Sequence, residues 1–391
     1  MQSPVFPALS LACFVAAAAD MSRGPVEFRA HVIENNMPGG YSVIVADINN
    51  DHRPDVIGMT SKLTELAWYE NPTWERHVMV KDMDGLVNLA AADVDGDGIP
   101  EVAIQNEFSM VAAKSPGLVW VLRHQGDPRG PWQATKVDQL ITSHHVAWAD
   151  VDGDGRKELI NAPLIGPKGL APRYDQDKVS LVYYRVPTDY PQGEWKRLLI
   201  DEQLHGVLHR ARVVKWIEGK RDQILTAGFD GIVLHSASGT GENLQWQHEV
   251  LSKGHEEEAP RAGTSDVAVG RLKGKRILAA VEPWHGNEVV VYTQSKGTWQ
   301  RRVIFSDLKE GHEVCVGTSM ETAGTISSPA IGPKGKSRAR TSSMRRMTKG
   351  MAPRNPGPDG NVRLRMPGRG HQRRWPLGHR HRRRDTQHQM V

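Results

Sequence analysis

The same nine-residue acidic pattern occurs three times in the first half of this chain. The copies begin at Asp47, Asp93 and Asp150, and each ends in an acid that directly precedes a short apolar run. Oxygen-bearing side chains at positions 1, 3, 5 and 9 and a backbone carbonyl at position 7 suit Ca²⁺, which takes roughly six to eight oxygens. The predicted ligands are Asp47, Asn49, Asp51, Asp55, Asp93, Asp95, Asp97, Glu101, Asp150, Asp152, Asp154 and Glu158.

The apolar runs behind these loops favour strands. Residues 102–104 and 159–160, for example, are short and apolar, and two such runs joined by an Asp-Gly turn predict a β-hairpin. The same residues also fit polar hairpin turns that hold no ion. The copy at Asp47 has Asn50 and His52 where the other two have glycines, so the calcium interpretation is weaker there.

The loops belong to a longer repeat. Segments led by Trp begin at Trp74, Trp132, Trp195, Trp246 and Trp299, at intervals of 58, 63, 51 and 53 residues. Phe28 and Trp74 each stand 19 residues before an acid loop. Several short strands and Gly/Asp turns per repeat of this length predict four-stranded propeller blades, so the fold class is all-β.

The N-terminal segment predicts how the ring closes. Residues 26–34 look like the last strand of a blade whose earlier strands are missing, and a propeller removes its exposed edge by pairing such a strand with its final blade. We therefore expect a propeller over residues 25–316 with this closing strand and five intact blades. The ancestral protein is expected to have had about seven.

Several motifs resemble known families. The acid loops are similar to FG-GAP/VCBS repeats. The segments that contain His144-His145, His209-Arg210, Phe229-Asp230-Gly231 and Glu282-Pro-Trp284-His285-Gly-Asn287 resemble the propeller domain of aldos-2-ulose dehydratases, over residues 28–316. This resemblance implies a seven-bladed propeller and a carbon–oxygen lyase that dehydrates 1,5-anhydrofructose and related keto-sugars.

The last fifth of the chain has a different composition. Residues 317–391 contain 17 Lys and Arg but only three Asp and Glu, whereas the whole chain carries a net charge of +5. The body is therefore acidic and is not expected to bind nucleic acid. The tail is a basic low-complexity segment of disordered type, and if it is real it could bind nucleic acid or anionic surfaces.

We interpret the tail as a frameshift product. Shifted reading frames that begin near Gly317 permit a further acid loop over residues 318–328, and the other shifted frame permits one over residues 369–380. The first of these would begin 19 residues after Trp299, which is the interval found twice upstream.

The N-terminus resembles a signal peptide. Residues 1–19 contain an apolar stretch that ends in small residues, although no Lys or Arg precedes it. Translation from Met21 is the alternative. Export predicts a secreted or periplasmic protein, where millimolar calcium fills weak loops. The stretch is too short for a membrane span.

A ring of polar residues marks the expected functional site. The starts of the innermost strands should surround one mouth of the central channel. They are Ser42, Asn88, His145, His209, Ser265, Asp266, and Glu313 beside His312. Imidazole and carboxylate ligands here could hold Zn²⁺ or Mg²⁺, or a histidine could act as a general base. The alternatives are purely structural roles: His144 could face outward, His209 could cap a strand end, and Trp284 could pack between blades.

Two function classes follow from this ring. The first is a calcium-loaded propeller that binds a small carbohydrate or another extracellular ligand through Trp284, His285, Asn287, Asp266 and Glu313. The second is a lyase in which His145, His209 or His312 takes the proton α to a ketone while Arg210 or a metal stabilises the enolate. The sequence does not determine the oligomeric state.

Overall fold

Five antiparallel sheets of four strands each make up most of residues 30–317, which are the part of the chain that the computed structural model describes. The first sheet contains β1 Gly40–Ala46, β2 Asp55–Thr60, β3 Leu66–Glu70 and β4 Glu75–Val80. The second contains β5 Asn88–Ala92, β6 Glu101–Asn106, β7 Leu118–Arg123 and β8 Gln133–Gln139. The third contains β9 Ser143–Ala149, β10 Glu158–Pro163, β11 Lys178–Arg185 and β12 Lys196–His205.

The remaining strands form two further blades and a short hairpin. The fourth sheet contains β13 Leu208–Val214, β14 Gln223–Gly228, β15 Gly231–Ser238 and β16 Gln245–Ser252. The hairpin pairs β17 His255–Glu256 with β18 Ala262–Gly263. The fifth sheet contains β19 Asp266–Leu272, β20 Lys275–Glu282, β21 Glu288–Ser295 and β22 Thr298–Phe305. A single 3₁₀ turn, Ala112–Lys114, is the only helical element among the described residues.

The strand order confirms the predicted propeller. Within each sheet the strands follow one another in chain order, as they do in a propeller blade. The first strands of successive sheets contact one another, β1 with β5, β5 with β9, β9 with β13 and β13 with β19. These five strands are therefore the innermost ones. The described residues contain five four-stranded blades.

The hydrophobic core lies between the blades. One buried cluster joins the first and second sheets around Trp68 and Ile104, and others join the second to the third, the third to the fourth and the fourth to the fifth. Trp132 and Trp195 of the sequence repeat stand immediately before outer strands and are buried. The Trp repeat therefore marks the start of the outer strand of each blade.

Several predictions concern residues outside the described range. The candidate signal peptide, residues 1–19, lies outside it, and so do residues 318–391 of the basic tail. Residues 25–29 of the predicted propeller are also outside, and the described remainder of the closing segment, residues 30–34, forms no strand. No helix within residues 30–317 is long and apolar enough to span a membrane.

Candidate functional site

Each acid loop joins the first and second strands of one of the first three blades. The acid at position 9 opens the second strand, where it is buried, and its carboxylate accepts a hydrogen bond from the backbone N–H of position 2. The three bonds are Ile48 N to Asp55 Oδ2 at 2.9 Å, Val94 N to Glu101 Oε2 at 3.0 Å and Val151 N to Glu158 Oε2 at 3.0 Å. These bonds give all three loops the same turn.

The acid at position 1 shapes the rest of the loop. In the second blade the Asp93 carboxylate accepts hydrogen bonds from the N–H groups of Gly96 and Gly98. Both glycines have positive φ, which costs them no steric strain. The third blade repeats these two bonds from Gly153 and Gly155 to Asp150.

Two of the loops bring ligand atoms together as the sequence predicts. Oxygens of Asp93, Asp95 and Glu101 lie within 4.8 Å of one another, and so do those of Asp150, Asp152 and Glu158. In the first blade the amide of Asn49 instead donates to Glu70 Oε1 at 3.0 Å. The donor sets of the second and third blades are therefore the better fit to Ca²⁺.

The electrostatics of these two loops also fit a cation. Burial raises the pKa of Glu101 and that of Glu158 to about 7, and neighbouring carboxylates add to the shift. Glu101 Oε1 is buried without a hydrogen-bond partner. Arg123 and Arg185 lie 2.8 Å from Asp95 and Asp152 and also form longer ion pairs with other carboxylates of the same loops, so they supply part of the positive charge.

The fourth blade achieves the same turn without an acid, which sequence reasoning missed. Gln223 stands at the start of β14, where the earlier blades have their buried acid, and it is itself buried. Its Oε1 accepts hydrogen bonds from Trp216 N and Ile217 N at 2.8 Å. A neutral amide can therefore hold this turn, and the acids of the first three blades provide charge that the turn alone does not require.

The opposite ends of the innermost strands form the ring site. Three of these strands contain an irregularity of register near their start, at which Tyr41, His144 and His209 are the extra residues. A β-bulge of this kind turns its side chain away from the normal alternation. Tyr41 Oη lies 3.2 Å from His144 Nε2, and the ring centroids of His144 and His209 are 5.3 Å apart.

Three histidines in this ring form a candidate metal centre. Nitrogens of His209, His285 and His312 lie within 4.8 Å of one another. His209 Nδ1 donates to the carbonyl oxygen of Ser265 at 2.6 Å, which leaves Nε2 unprotonated and 3.3 Å from His285 Nε2. A backbone carbonyl that fixes the tautomer in this way is typical of histidines that bind metals.

These imidazoles are held neutral. Burial lowers the pKa of His209 well below its usual range and that of His312 to about 3, and neighbouring histidines and Arg210 add to the effect. Burial also lowers the pKa of His285. Neutral imidazole is the form that binds a metal, so the cluster is ready to do so at neutral pH.

A charged network lies beside the histidines. Asp266 is fully buried; its carboxylate accepts two hydrogen bonds from Arg212, at 3.1 and 2.6 Å, and one from Val314 N. Arg210 donates to His145 Nε2 at 2.9 Å and lies 3.4 Å from Glu313 Oε1. The pKa of Asp266 is lowered mainly by the two guanidinium groups, against the effect of burial.

The structure gives the other predicted residues distinct surroundings. Trp284 lies against Tyr174, Phe229 and His285, with centroids 4.8–5.8 Å apart, and packs against an apolar cluster beside the candidate metal centre. Asn287 donates to Ser306 O and so holds its own loop.

Two further residues of the innermost strands, Asn88 and His144, have defined positions. Asn88 Oδ1 accepts from Val146 N and joins two blades. His144, for which an outward orientation was the alternative, is buried. Tyr41 and His144 are ring residues that the sequence analysis did not select, and each is the extra residue at an irregularity of register.

Comparison with known proteins agrees with this architecture. Residues 47–104 match the model of the FG-GAP-like repeat, and residues 116–295 match the β-propeller domain of aldos-2-ulose dehydratase. The described fold is a β-propeller, and its sequence is similar to FG-GAP-like repeats and to the propeller domain of aldos-2-ulose dehydratase, the two resemblances that the sequence motifs indicated.

Individual relatives are distant. The curated aldos-2-ulose dehydratase of Phanerodontia chrysosporium is 22% identical over 324 residues, which cover 73% of this chain. The alignment covers 35% of that enzyme, so the chain spans about a third of its length. A solved structure of a candidate 6-phosphogluconolactonase from Bacteroides fragilis is 15% identical with a TM-score of 0.39, over 71% of this chain and 70% of the other.

The raised pKa values of Glu101 and Glu158 predict a pH-dependent loss of stability in the metal-free protein. The fold favours the protonated carboxyls, so their contribution is complete below the ordinary pKa of about 4.5 and is lost as the pH rises through about 7. Chemical denaturation in chelator should show that Glu101→Gln/Glu158→Gln gains stability over the parent between pH 5 and 8, by about 2 kcal/mol per loop.

The double variant keeps the turn because Gln223 already does so in the fourth blade. The buried histidines titrate in both proteins and cancel in the difference. A stability difference that stays constant from pH 5 to pH 8 would contradict the prediction.

Proposed function

We propose that this propeller is a metal-dependent lyase that removes water from keto-sugars at its ring site. The observation that carries the proposal is the hydrogen bond from His209 Nδ1 to the Ser265 carbonyl, which leaves an unprotonated Nε2 aimed at His285 and His312. Imidazole ligands favour Zn²⁺ over Mg²⁺. The relationship to the aldos-2-ulose dehydratase propeller supports a keto-sugar as the substrate.

The surroundings of the histidines suit a sugar. Trp284 offers an aromatic face beside His285, a residue that keeps some solvent exposure, and stacking of this kind suits the apolar face of a pyranose ring. Arg210 and Glu313, the chain neighbour of His312, supply further hydrogen-bonding groups. A sugar that meets these residues would place its carbonyl toward the histidine cluster.

The acids of the ring divide into two roles. Asp266 is fully buried and engaged by Arg212 and by Val314 N, so it positions the arginines. The Glu313 side chain keeps 19% exposure, and its ion pairs with Arg210 and Arg212 are longer, at 3.4 and 3.5 Å. Glu313 is therefore the acid of the ring that can take a proton from a substrate.

The chain's own residues can complete a balanced elimination. A divalent metal held by the three histidines would polarise the ketone oxygen. The Glu313 carboxylate takes the proton from the carbon next to the ketone, and the C–H electrons move toward the ketone oxygen to give an enolate, whose charge Arg210 stabilises. The enolate electrons then form the new C=C bond as the C–O bond of the β-hydroxyl breaks, and Glu313 gives its proton to that oxygen, which departs as water.

This assignment differs from the histidine bases that the sequence suggested. His145 is buried with its Nε2 against Arg210, and His209 is buried with its Nδ1 bound to a carbonyl. The rival function is a propeller that binds a carbohydrate at this mouth without reacting with it, for which Trp284 and Glu313 are equally suited.

Two conservative variants separate chemistry from metal binding. With 1,5-anhydrofructose as the substrate and zinc-loaded protein, Glu313→Gln should lower kcat at least about 100-fold because it removes the base, but should bind zinc as the parent does. His285→Gln should lose both activity and zinc at the ring. His205→Gln, at an exposed histidine outside the ring, is the control. Parent protein without dehydratase activity that still binds the sugar would establish the binding function instead.

We also propose that the loops of the second and third blades bind Ca²⁺ and that the protein works where calcium is millimolar, in a secreted or periplasmic location. Bound Ca²⁺ would ionise Glu101 and Glu158, so calcium should raise the melting temperature more at pH 8 than at pH 5.5. Glu101→Gln/Glu158→Gln should abolish this difference. Equal stabilisation of both proteins at the two pH values would reject calcium binding at these loops.

A further inference from the structure

A second cluster of metal-binding groups lies away from the ring, between the third and fourth blades. It consists of Asp201 on β12, His235 on β15 and His248 on β16. His235 and His248 are directly opposed residues of neighbouring strands, and Asp201 reaches them from the adjacent blade. We propose that these three side chains bind a divalent transition metal, with zinc as the best match.

Hydrogen bonds behind His235 fix which nitrogen is free. The hydroxyl of Thr226 donates to Val233 O at 3.4 Å, so its oxygen accepts from His235 Nε2 at 2.9 Å. His235 Nδ1 is then unprotonated and faces His248 Nδ1 at 2.8 Å. A buried imidazole whose distal N–H is fixed in this way is the arrangement expected of a metal ligand.

The carboxylate is oriented in the same manner. Asp201 Oδ1 accepts from Gln203 N at 2.8 Å, which leaves Oδ2 directed at the imidazoles, 3.7 Å from His235 Nδ1 and 3.5 Å from His248 Nδ1. Tetrahedral zinc with bonds of roughly 2.0–2.2 Å holds its ligand atoms about 3.3–3.6 Å apart. The two distances to Asp201 are close to that spacing, and the histidine pair needs to open by about half an ångström.

The site has an open side. Asp201 and His248 line a cavity of about 590 Å³ that also contains Lys253 and His255. Two histidines and one carboxylate leave a fourth position of zinc for water or a small anion, as in sites where the metal is exchangeable or catalytic. The metal would also tie the outer strand of the third blade to the fourth blade.

Zinc titration of the full-length, calcium-saturated chain tests the proposal. His285→Gln serves as the parent because it weakens the ring centre. Calorimetry should detect one more zinc ion per chain in this protein than after the addition of His248→Gln, and zinc should raise the melting temperature of this protein. Adding His248→Gln should weaken that binding at least 100-fold and abolish the rise. Adding His255→Gln, which changes a histidine of the same cavity outside the ligand set, should alter the affinity less than threefold.

Either of two results would contradict the proposed zinc site. Absence of zinc binding in the His285→Gln parent does so directly, and so does equal binding by the His248→Gln and His255→Gln proteins. His248 lies on the exposed face of an outer strand, so glutamine there should leave the fold intact. Matching melting curves in chelator check this.

Discussion

The buried acceptor that opens the second strand of a blade is the interaction on which the site depends. In the first three blades it is a carboxylate, and in the fourth it is the amide of Gln223; each accepts the backbone N–H groups of the preceding turn. This bond sets the register between the first and second strands. Because the first strand runs from the ring to that turn, the acceptor and the bulges near Tyr41, His144 and His209 together determine which residue reaches the ring.

The charge of that acceptor distinguishes two roles, formation of the turn and attraction of a cation. An amide is sufficient for the turn, as the fourth blade shows, whereas Glu101 and Glu158 bring buried carboxyls whose pKa is raised to about 7. Buried acids that lack full compensation are costly unless a cation is near. Arg123 and Arg185 provide part of that compensation. Ca²⁺ bound as we propose would provide the rest.

Most of the fold could be predicted from the sequence, because the Trp interval and the acid loops report directly on blade length and on the first hairpin. The ring was predicted in outline: His209, His285 and His312 do come together, and Arg210, Asp266 and Glu313 lie beside one another. The identity of every residue that faces the ring could not be predicted. Bulges near Tyr41, His144 and His209 break the two-residue alternation, and such an irregularity leaves no simple sequence pattern.

The cluster of Asp201, His235 and His248 could not be predicted from the sequence either, for a different reason. Its members come from two blades and are separated by 34 and 13 positions in the chain, so no local sequence motif predicts them. Only the pairing of β15 with β16 and the packing of β12 against them bring the groups together. Sequence spacing reveals ligands that share one loop, as in the acid repeats, and misses ligands assembled by packing.

Anomalous diffraction at the zinc absorption edge, from crystals of the full-length protein grown with zinc, tests the central claim most directly. The account predicts a strong peak bounded by His209 Nε2, His285 and His312, at roughly 2.0–2.1 Å from the imidazole nitrogens. A well-ordered ring without a peak there would show that the histidines only pack against one another, and the metal-dependent function would be wrong.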